Sequence, residues 1–381
     1  MRAARVLSKF VLGGLSRRPA GACAPIFVAA PLHRKQFSSQ RDSAPLSELN
    51  VAASTGDVKA VQALLHEGER GGADADGRTA LHVAAQEGHV EVVRVLCADP
   101  LIDVNATDAG SYTPLHFATG FGHPDVVRAM LDNPRVEANP VTIGTASKAG
   151  LTPLHLAANR GQLSAACALL DDARVDANAA AADGETPLHE AASGGHTDIL
   201  SLLLSHPRVR PDARAELGDT ALHVATTADA AAVLLASPHI DPNAAGQNAS
   251  APLHLAALYG RAPVVTRLLA DPRVKPNPRD AFGWTPLMKA ALSPMGGAHA
   301  ARILLADPRV DPAAADADGF TALHVAAACG HDAIARMLLG HPAVDPNAVS
   351  SQGQSPLALA QAENRAEVVA VLEADPRVRR V

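Results

Sequence analysis

The amino-acid sequence predicts an all-α solenoid, a stack of about ten helix-turn-helix units. The stretch TPLHLAANRG at 152–161 returns as TPLHEAASGG from Thr186, 34 residues later. Its first position occurs nine times, at spacings of 34, 39, 34, 34, 31, 34, 36 and 34 residues. Aromatic residues make up only 3% of the 381-residue chain, so the core must consist of small aliphatic side chains. Self-similarity at this period indicates a repeat architecture, and Ala and Leu favour helices.

Each part of the repeat has a structural interpretation. The first motif position, usually Thr, caps a helix, and Pro fits the first turn because its missing N–H costs nothing there. Leu and paired Ala form an apolar stripe, and Gly-His ends this short helix. A second helix such as VEVVRVL follows, and then DPRVDPN leads to a turn before the next motif. The motif positions are Thr79, Thr113, Thr152, Thr186, Thr220, Ala251, Thr285, Thr321 and Ser355.

An earlier unit from Leu46 lacks the TPLH stretch, which makes ten units in all. These residues resemble the ankyrin repeat, whose pattern D-x-x-G-x-T-P-L-H-x-A-A-x-x-G-H precedes a Val- and Leu-rich helix. The resemblance covers residues 45–381. It implies a stack of helix pairs with β-hairpin loops and a concave face that binds other proteins. Here D-P-R-V replaces the family's Gly-Ala and gives a period of 34, and we expect its Val to fill the Ala position.

Residues 1–41 differ from the rest of the chain. They carry eight basic residues and no acid, which leaves 25 basic against 39 acidic residues and a net charge of −14 beyond them. Arg2, Arg5 and Lys9 fall on one helical face opposite apolar residues. This segment resembles a mitochondrial presequence with cleavage near Phe37, and plastid import is the main alternative. A disordered basic tail on a cytoplasmic protein is the other alternative. The acidic remainder disfavours nucleic acid, and no stretch is suited to span a membrane.

The motif histidine recurs seven times and raises the question of catalysis. Repeats stack about 10 Å apart, so neighbouring histidines cannot share one zinc ion, whose bonds are about 2.1 Å. The repeat also supplies no nucleophile with an orienting partner. In the family this His is a structural hydrogen-bonding residue, and we expect that role here. The residues are His82, His116, His155, His189, His223, His254 and His324.

Other candidate chemical sites are weak. The four cysteines are scattered singly, which favours neither a disulfide framework nor a thiolate metal site. The Arg of D-P-R-V recurs, and we interpret it as a solvated edge screened by neighbouring Asp rather than as a basic binding row. Acidic turns such as DVNATDAG lack the ligand set of a calcium loop. We therefore expect no catalytic residue, metal or cofactor.

The aromatic residues give the clearest binding hypothesis. Beyond residue 41 there are seven, and six occupy hairpin tips or inner-helix ends, which ankyrin proteins use for binding. Aromatic anchors dominate interface energetics, so these six are the predicted protein-binding residues. We expect four of them, in three successive units, to form one concave patch: Tyr259, Phe282, Trp284 and Phe320. The other two are Tyr112 and Phe121, whereas Phe117 is assigned to the core.

The sequence thus predicts a non-enzymatic scaffold or adaptor that binds protein partners, with a monomer favoured. A non-catalytic subunit of an enzyme complex and a structural spacer are the alternatives. The period breaks in three places: a hairpin lengthened by NPVTIGTASKAG, a junction loosened by LSPMGGAH, and a unit shortened near ATTADAAAV. Such changes map to loops, often on the binding face, and the shortened unit is a candidate weak joint.

Overall fold

A computed structural model describes residues 47–143, 149–294 and 297–379 of the chain. The predicted presequence, 1–41, lies outside the described residues. The remainder forms two compact units that divide between Glu216 and Leu217. Over the described residues the chain is all-helical, which confirms the predicted fold class.

Twenty α-helices of the described chain form ten pairs, which we number repeats 1–10. The first helix of a pair, here called inner, carries the TPLH motif from repeat 2 onward, and the second is called outer. The first unit holds α1 Glu48–Thr55, α2 Val58–His66, α3 Ala80–Glu87, α4 Val90–Ala98, α5 Pro114–Gly120, α6 Pro124–Leu131, α7 Pro153–Arg160, α8 Leu163–Leu170, α9 Pro187–Gly194 and α10 Thr197–Ser205.

The second unit holds α11 Ala221–Val224, α12 Ala228–Ala236, α13 Pro252–Leu258, α14 Ala262–Leu269, α15 Pro286–Leu292, α16 Gly297–Ala306, α17 Ala322–Cys329, α18 Asp332–Leu339, α19 Pro356–Ala362 and α20 Ala366–Ala374. Within each unit, inner helices pack on the inner helices of adjacent repeats, and outer helices pack on outer helices. Within each unit the core is a layer of buried Leu, Val and Ala side chains. Each repeat therefore depends on its neighbours for burial of its apolar faces.

The ends of the inner helices follow the sequence prediction. Thr152 is the extended N-cap of α7 and Pro153 occupies its first turn, as in the other TPLH repeats. The helix ends at Gly161, whose φ of 72° is in the left-handed region that glycine adopts without strain. Gly88 ends α3 in the same way, and a Cβ there would lie 2.7 Å from Nδ1 of His123. Glycine is thus required here for close stacking as well as for its backbone angle.

The last residue of the D-P-R-V segments, a Val, lies where the sequence predicted. Six Val side chains at this position are buried, as expected for residues that replace the usual Ala: Val136, Val175, Val209, Val274, Val310 and Val344. Val378, in the last repeat, is half-buried. The expected β-hairpins are present only as tight turns. Among the described residues the single β-bridge outside helices joins Ala315 and Thr321. The tips are too short to form a ladder of more than one or two hydrogen bonds.

Two period breaks have a visible structural effect. The shortened repeat 6 has an inner helix of only four residues, α11, and Arg261 of repeat 7 donates to the carbonyls of His223 and Ala225 at its end. The long hairpin before repeat 4 is closed at its base. There Thr142 donates its N–H to the Leu151 carbonyl at 3.1 Å, and its Oγ1 accepts from the Leu151 N–H.

Candidate protein-interaction surfaces

The motif histidines bridge adjacent repeats. His155 is fully buried, and its Nδ1 accepts the backbone N–H of Thr152 at 3.1 Å and lies 2.8 Å from Thr152 Oγ1. Because Nδ1 is an acceptor, the ring proton is on Nε2, which donates to the Glu185 carbonyl of the next repeat at 3.0 Å. Both ring nitrogens are engaged, so the imidazole has no lone pair left for a metal or a substrate proton.

The same bridge is found in both units. His82, His116, His223, His254 and His324 each place Nε2 within 2.8–3.1 Å of a carbonyl in the following repeat. Burial lowers the pKa of His116, His155 and His254 to about 4. These rings are neutral at physiological pH, and each is held in one tautomer by its neighbours.

The D-P-R-V arginines do more than line a solvated edge. Arg174 pairs with Asp172 at 2.7 Å, and its guanidinium also donates to the carbonyls of Leu131 and Val136 in the preceding repeat. Arg208 reaches four such carbonyls, including that of Leu170, the last residue of α8. The arginines therefore cap the C-terminal carbonyls of the preceding outer helix, which are unsatisfied within that helix. This corrects the interpretation from sequence, since proximity of those carbonyls depends on stacking.

An asparagine in the loop of the preceding repeat completes this contact. Asn139 donates to the Arg174 carbonyl at 2.7 Å and accepts the N–H of Asp176 at 2.7 Å. Equivalent two-way bridges are made by Asn105, Asn178, Asn243, Asn277 and Asn347. The sequence contains these asparagines at one loop position, but it did not reveal that their partners lie in the next repeat.

The acidic turns carry a structural role, and Cys97 is a buried thiol. Asp108 Oδ1 accepts backbone N–H groups of Gly110 and Tyr112, both at 2.8 Å, and so holds the hairpin tip. Burial raises the pKa of Cys97 to about 11, which leaves a poorly nucleophilic thiol. Within the described residues, no group of three His, Cys, Asp or Glu side chains is arranged to hold a metal ion. In the same part of the chain, no helix combines the length and apolar character needed to cross a membrane.

Trp284 is not the exposed anchor that the sequence predicted. Its side chain is buried, with 5% exposed, and its Nε1–H donates to Asp316 Oδ2 at 3.1 Å. Lys289 Nζ lies 5.1 Å from the Trp284 ring centroid and 2.7 Å from Asp280 Oδ2. The indole is enclosed because the next hairpin and a lysine cover it. It is therefore a structural residue.

The other predicted aromatic residues are partly accessible. Phe282 is 42% exposed, and Lys289 Nζ lies 5.9 Å from its ring centroid. The same lysine therefore lies close to both the Phe282 and the Trp284 rings. Tyr259 is half-buried beneath the Arg261 guanidinium at 5.0 Å, and Phe320 is half-buried edge-on to His324. Trp284 is therefore not part of the predicted four-residue patch. Each of the other three rings, Tyr259, Phe282 and Phe320, contacts a charged or imidazole side chain of a nearby residue.

The first unit brings Tyr112 and Phe121 together through a residue that sequence reasoning assigned to the core. Phe117 is half-buried rather than buried and stacks on Phe121 with centroids 6.3 Å apart. Tyr112 lies edge-on to Phe117 at 6.5 Å and packs on Leu151 and Leu156 of the next repeat. This group of rings, Tyr112, Phe117 and Phe121, is here called the repeat-3 aromatic cluster.

Glu190 is a functional candidate that the sequence did not reveal. It occupies the motif position of Phe117 but is only 4% exposed, and its Oε2 accepts from Asn159 Nδ2 at 2.7 Å. Burial, with a further contribution from the nearby Asp183, raises its pKa to about 7. Its position four residues after Thr186 was visible, but its burial depends on the neighbouring repeat.

Comparison with known proteins agrees with this architecture. A family model described as ankyrin repeats (3 copies) matches residues 33–108, 49–142, 101–181, 154–246, 227–316, 253–350 and 295–379. The overlapping matches extend over nearly the whole chain, so this chain belongs to the ankyrin-repeat family, as the motif predicted. No curated protein matches it.

Proposed function

We propose that this chain is a non-enzymatic adaptor that holds protein partners on the inner helices and hairpin tips of its repeats. Ankyrin repeats are protein-interaction modules, and the motif histidines, which recur most often, are occupied structurally. The observation that carries the proposal is the repeat-3 aromatic cluster, because Phe117 in α5 and Phe121 at the C-terminal end of that helix are only half-buried. Rings of this kind supply most of the energy at protein interfaces.

Cross-linking and affinity purification from cells of the source organism tests this role. We expect specific partners with the wild-type chain and loss of these partners with a Phe121→Ala, Tyr259→Ala variant of unchanged circular dichroism. Leu101→Ala is the matched control, since Leu101 is 75% exposed in a loop after an outer helix. Partners that survive the double substitution, or that Leu101→Ala removes equally, would contradict binding through the inner helices.

We also propose that residues 1–41 direct the chain to mitochondria. The support is their eight basic residues, the absence of acid, and the amphipathic arrangement of Arg2, Arg5 and Lys9. A fluorescent reporter fused to residues 1–41 should enter mitochondria, and replacement of those three basic residues by Gln should prevent import. A reporter found in plastids or in the cytosol would contradict this assignment.

A further inference from the structure

Three successive inner helices leave apolar side chains accessible at one motif position. The residue four positions after the N-cap is Val51 in α1, Val83 in α3 and Phe117 in α5. Val51 is 47% exposed, and Val83 and Phe117 are half-buried. Because α1 packs on α3 and α3 packs on α5, these side chains form a row about 20 Å long at a helix spacing of about 10 Å. They are here called the apolar row.

This accessibility is a property of repeats 1 to 3. In repeat 8 the same position is occupied by Lys289, which pairs with Asp280 at 2.7 Å. In the other repeats the side chain at this position is only 2 to 8% exposed: Leu156, Glu190, Val224, Leu255, Val325 and Leu359. The repeat itself therefore does not require an open apolar side chain here, and the apolar row is a local feature of the first three repeats.

Exposed carboxylates flank the apolar row. Glu48 precedes Val51 by three residues in α1, and helical spacing places the two side chains on one face. Glu87 follows Val83 by four residues in α3 and shares its face in the same way. The first unit is also the acidic part of the chain, since residues 47–216 contain 23 acidic and 12 basic side chains. A cationic amphipathic segment is therefore the electrostatic complement of this face.

The chain itself carries such a segment ahead of α1. Residues 1–18 contain five basic side chains and no acid, and their basic and apolar residues fall on opposite sides at helical spacing. The 28 residues 19–46 connect this segment to Ser47, the N-cap of α1. That length spans up to about 90 Å when fully extended. The segment can therefore reach the apolar row, which begins in α1 itself.

We propose that residues 2–18 dock on the apolar row of the same chain and shield it from partners. The apolar side of the segment covers the row, and its basic side chains pair with Glu48 and Glu87. As a helix, these 17 residues would measure about 26 Å at 1.5 Å per residue, enough to cover a row of about 20 Å. Because both parts belong to one chain, a contact too weak to hold two separate molecules is sufficient.

The consequence is a control on the proposed adaptor function, on which this part of the inference rests. Phe117 belongs both to the apolar row and to the repeat-3 aromatic cluster, so a docked segment covers the surface that carries that function. Cleavage near Phe37, predicted from the sequence, would remove the segment and open the row. The full chain and the cleaved chain would then differ in partner binding.

Zero-length carbodiimide cross-linking of the full chain, followed by mass spectrometry, tests the contact. The reagent joins an amine to a carboxylate that touches it, and Lys9 is the only lysine in residues 1–18. We expect a cross-link from Lys9 to Glu87 or Glu48. A mixture of isotopically light and heavy chains shows whether the bond lies within one molecule, and we expect no bond between light and heavy chains.

Two variants separate docking from chance contact, because both leave the reacting groups in place. The double substitution Val51→Ser, Val83→Ser should lower the yield of this cross-link by about threefold or more, since part of the apolar contact is lost. Val349→Ser is the matched control, because Val349 is 59% exposed in the second unit, and it should leave the yield unchanged. Circular dichroism verifies that each variant is folded.

Three results would overturn the proposal: no cross-link from Lys9 to either carboxylate, cross-links only between light and heavy chains, or equal loss with Val349→Ser. The second of these would show that the segment binds another copy of the chain. A negative result here, with partners still captured by affinity purification, would remove the intramolecular contact and leave the adaptor function standing.

Discussion

At the scale of single residues, the same motif position has different roles in different repeats. Phe117 leaves ring surface accessible, Leu156 is 5% exposed, and Glu190 is a buried carboxylic acid. Burial favours the neutral form of an acid because the charged form loses its hydration. Glu190 should therefore lower the stability of the fold when it ionises.

Glu190→Gln should stabilise the protein at alkaline pH. The folded-state pKa is raised from 4.5 to about 7, so the folded state loses stability as pH rises from 4.5 and the loss is complete above 7. Each pKa unit corresponds to about 1.4 kcal/mol, which gives an upper value of roughly 3 kcal/mol. Urea unfolding followed by circular dichroism should show the variant 1 to 3 kcal/mol, in order of magnitude, more stable than wild type at pH 8.

At pH 4 the two proteins should differ little, because Glu190 is then protonated in both states. A variant less stable than wild type at pH 8 would show that the Asn159 contact, and not the buried charge, dominates at this position.

At the scale of elements, the repeats are joined by side chains that reach backbone atoms 27 to 43 residues away in sequence. The Arg–Asn pair joins outer loops, and the motif His joins an inner helix to the next hairpin. In repeat 6 of the second unit, His239 stands at the Arg position. The junction of repeats 8 and 9 lacks both side chains, because Ala343 stands at the Arg position of repeat 9 and Ala313 at the Asn position of repeat 8. Both are exposed, so there is room for the longer side chains.

Ala343→Arg should therefore stabilise the second unit. The new guanidinium would donate to the Leu305 carbonyl, which corresponds to the Leu269 carbonyl that Arg309 reaches in the preceding repeat. One added hydrogen bond contributes about 0.5 to 1.5 kcal/mol, and more when the donor is charged. Combination with Ala313→Asn should add a similar amount. Thermal and urea unfolding measure the increase in the free energy of unfolding. Ala343→Lys is the control, because it adds the same charge without the planar guanidinium group.

If Lys proved equally effective, the effect would be one of charge and not of carbonyl capping. A loss of stability with Arg would mean that this junction is packed differently from its counterparts.

At the scale of the whole chain, both units contain buried neutral histidines at the same motif position. Burial lowers the pKa of His116 and His155 in the first unit and of His254 in the second, each to about 4. An unfolded His binds its proton near pH 6.5, so the unfolded state gains protons first as pH falls. This stability is fully present above pH 6.5 and is lost progressively toward pH 4.

We expect both units to unfold in acid between pH 6 and 4. Over this range each His that is neutral in the folded state lowers the free energy of unfolding by on the order of 3 kcal/mol. Helical circular dichroism against pH, at a fixed urea concentration, measures the transition. His155→Gln should be less stable at pH 7 yet lose less stability between pH 7 and 4. An unchanged pH dependence in this variant would show that other groups drive the acid transition.

The sequence by itself determined the repeat number, the positions of the helix caps, the burial of the D-P-R-V valines and the family. These features depend on local rules, since a cap, a Pro in the first turn or a terminal Gly acts within a few residues. Only the tertiary structure decided that Trp284 is buried, that Phe117 is only half-buried, that Arg174 caps a helix in another repeat and that Glu190 is buried beside Asn159. Each of these depends on what the adjacent repeat places against the side chain, at a sequence separation of about one repeat that no local pattern records.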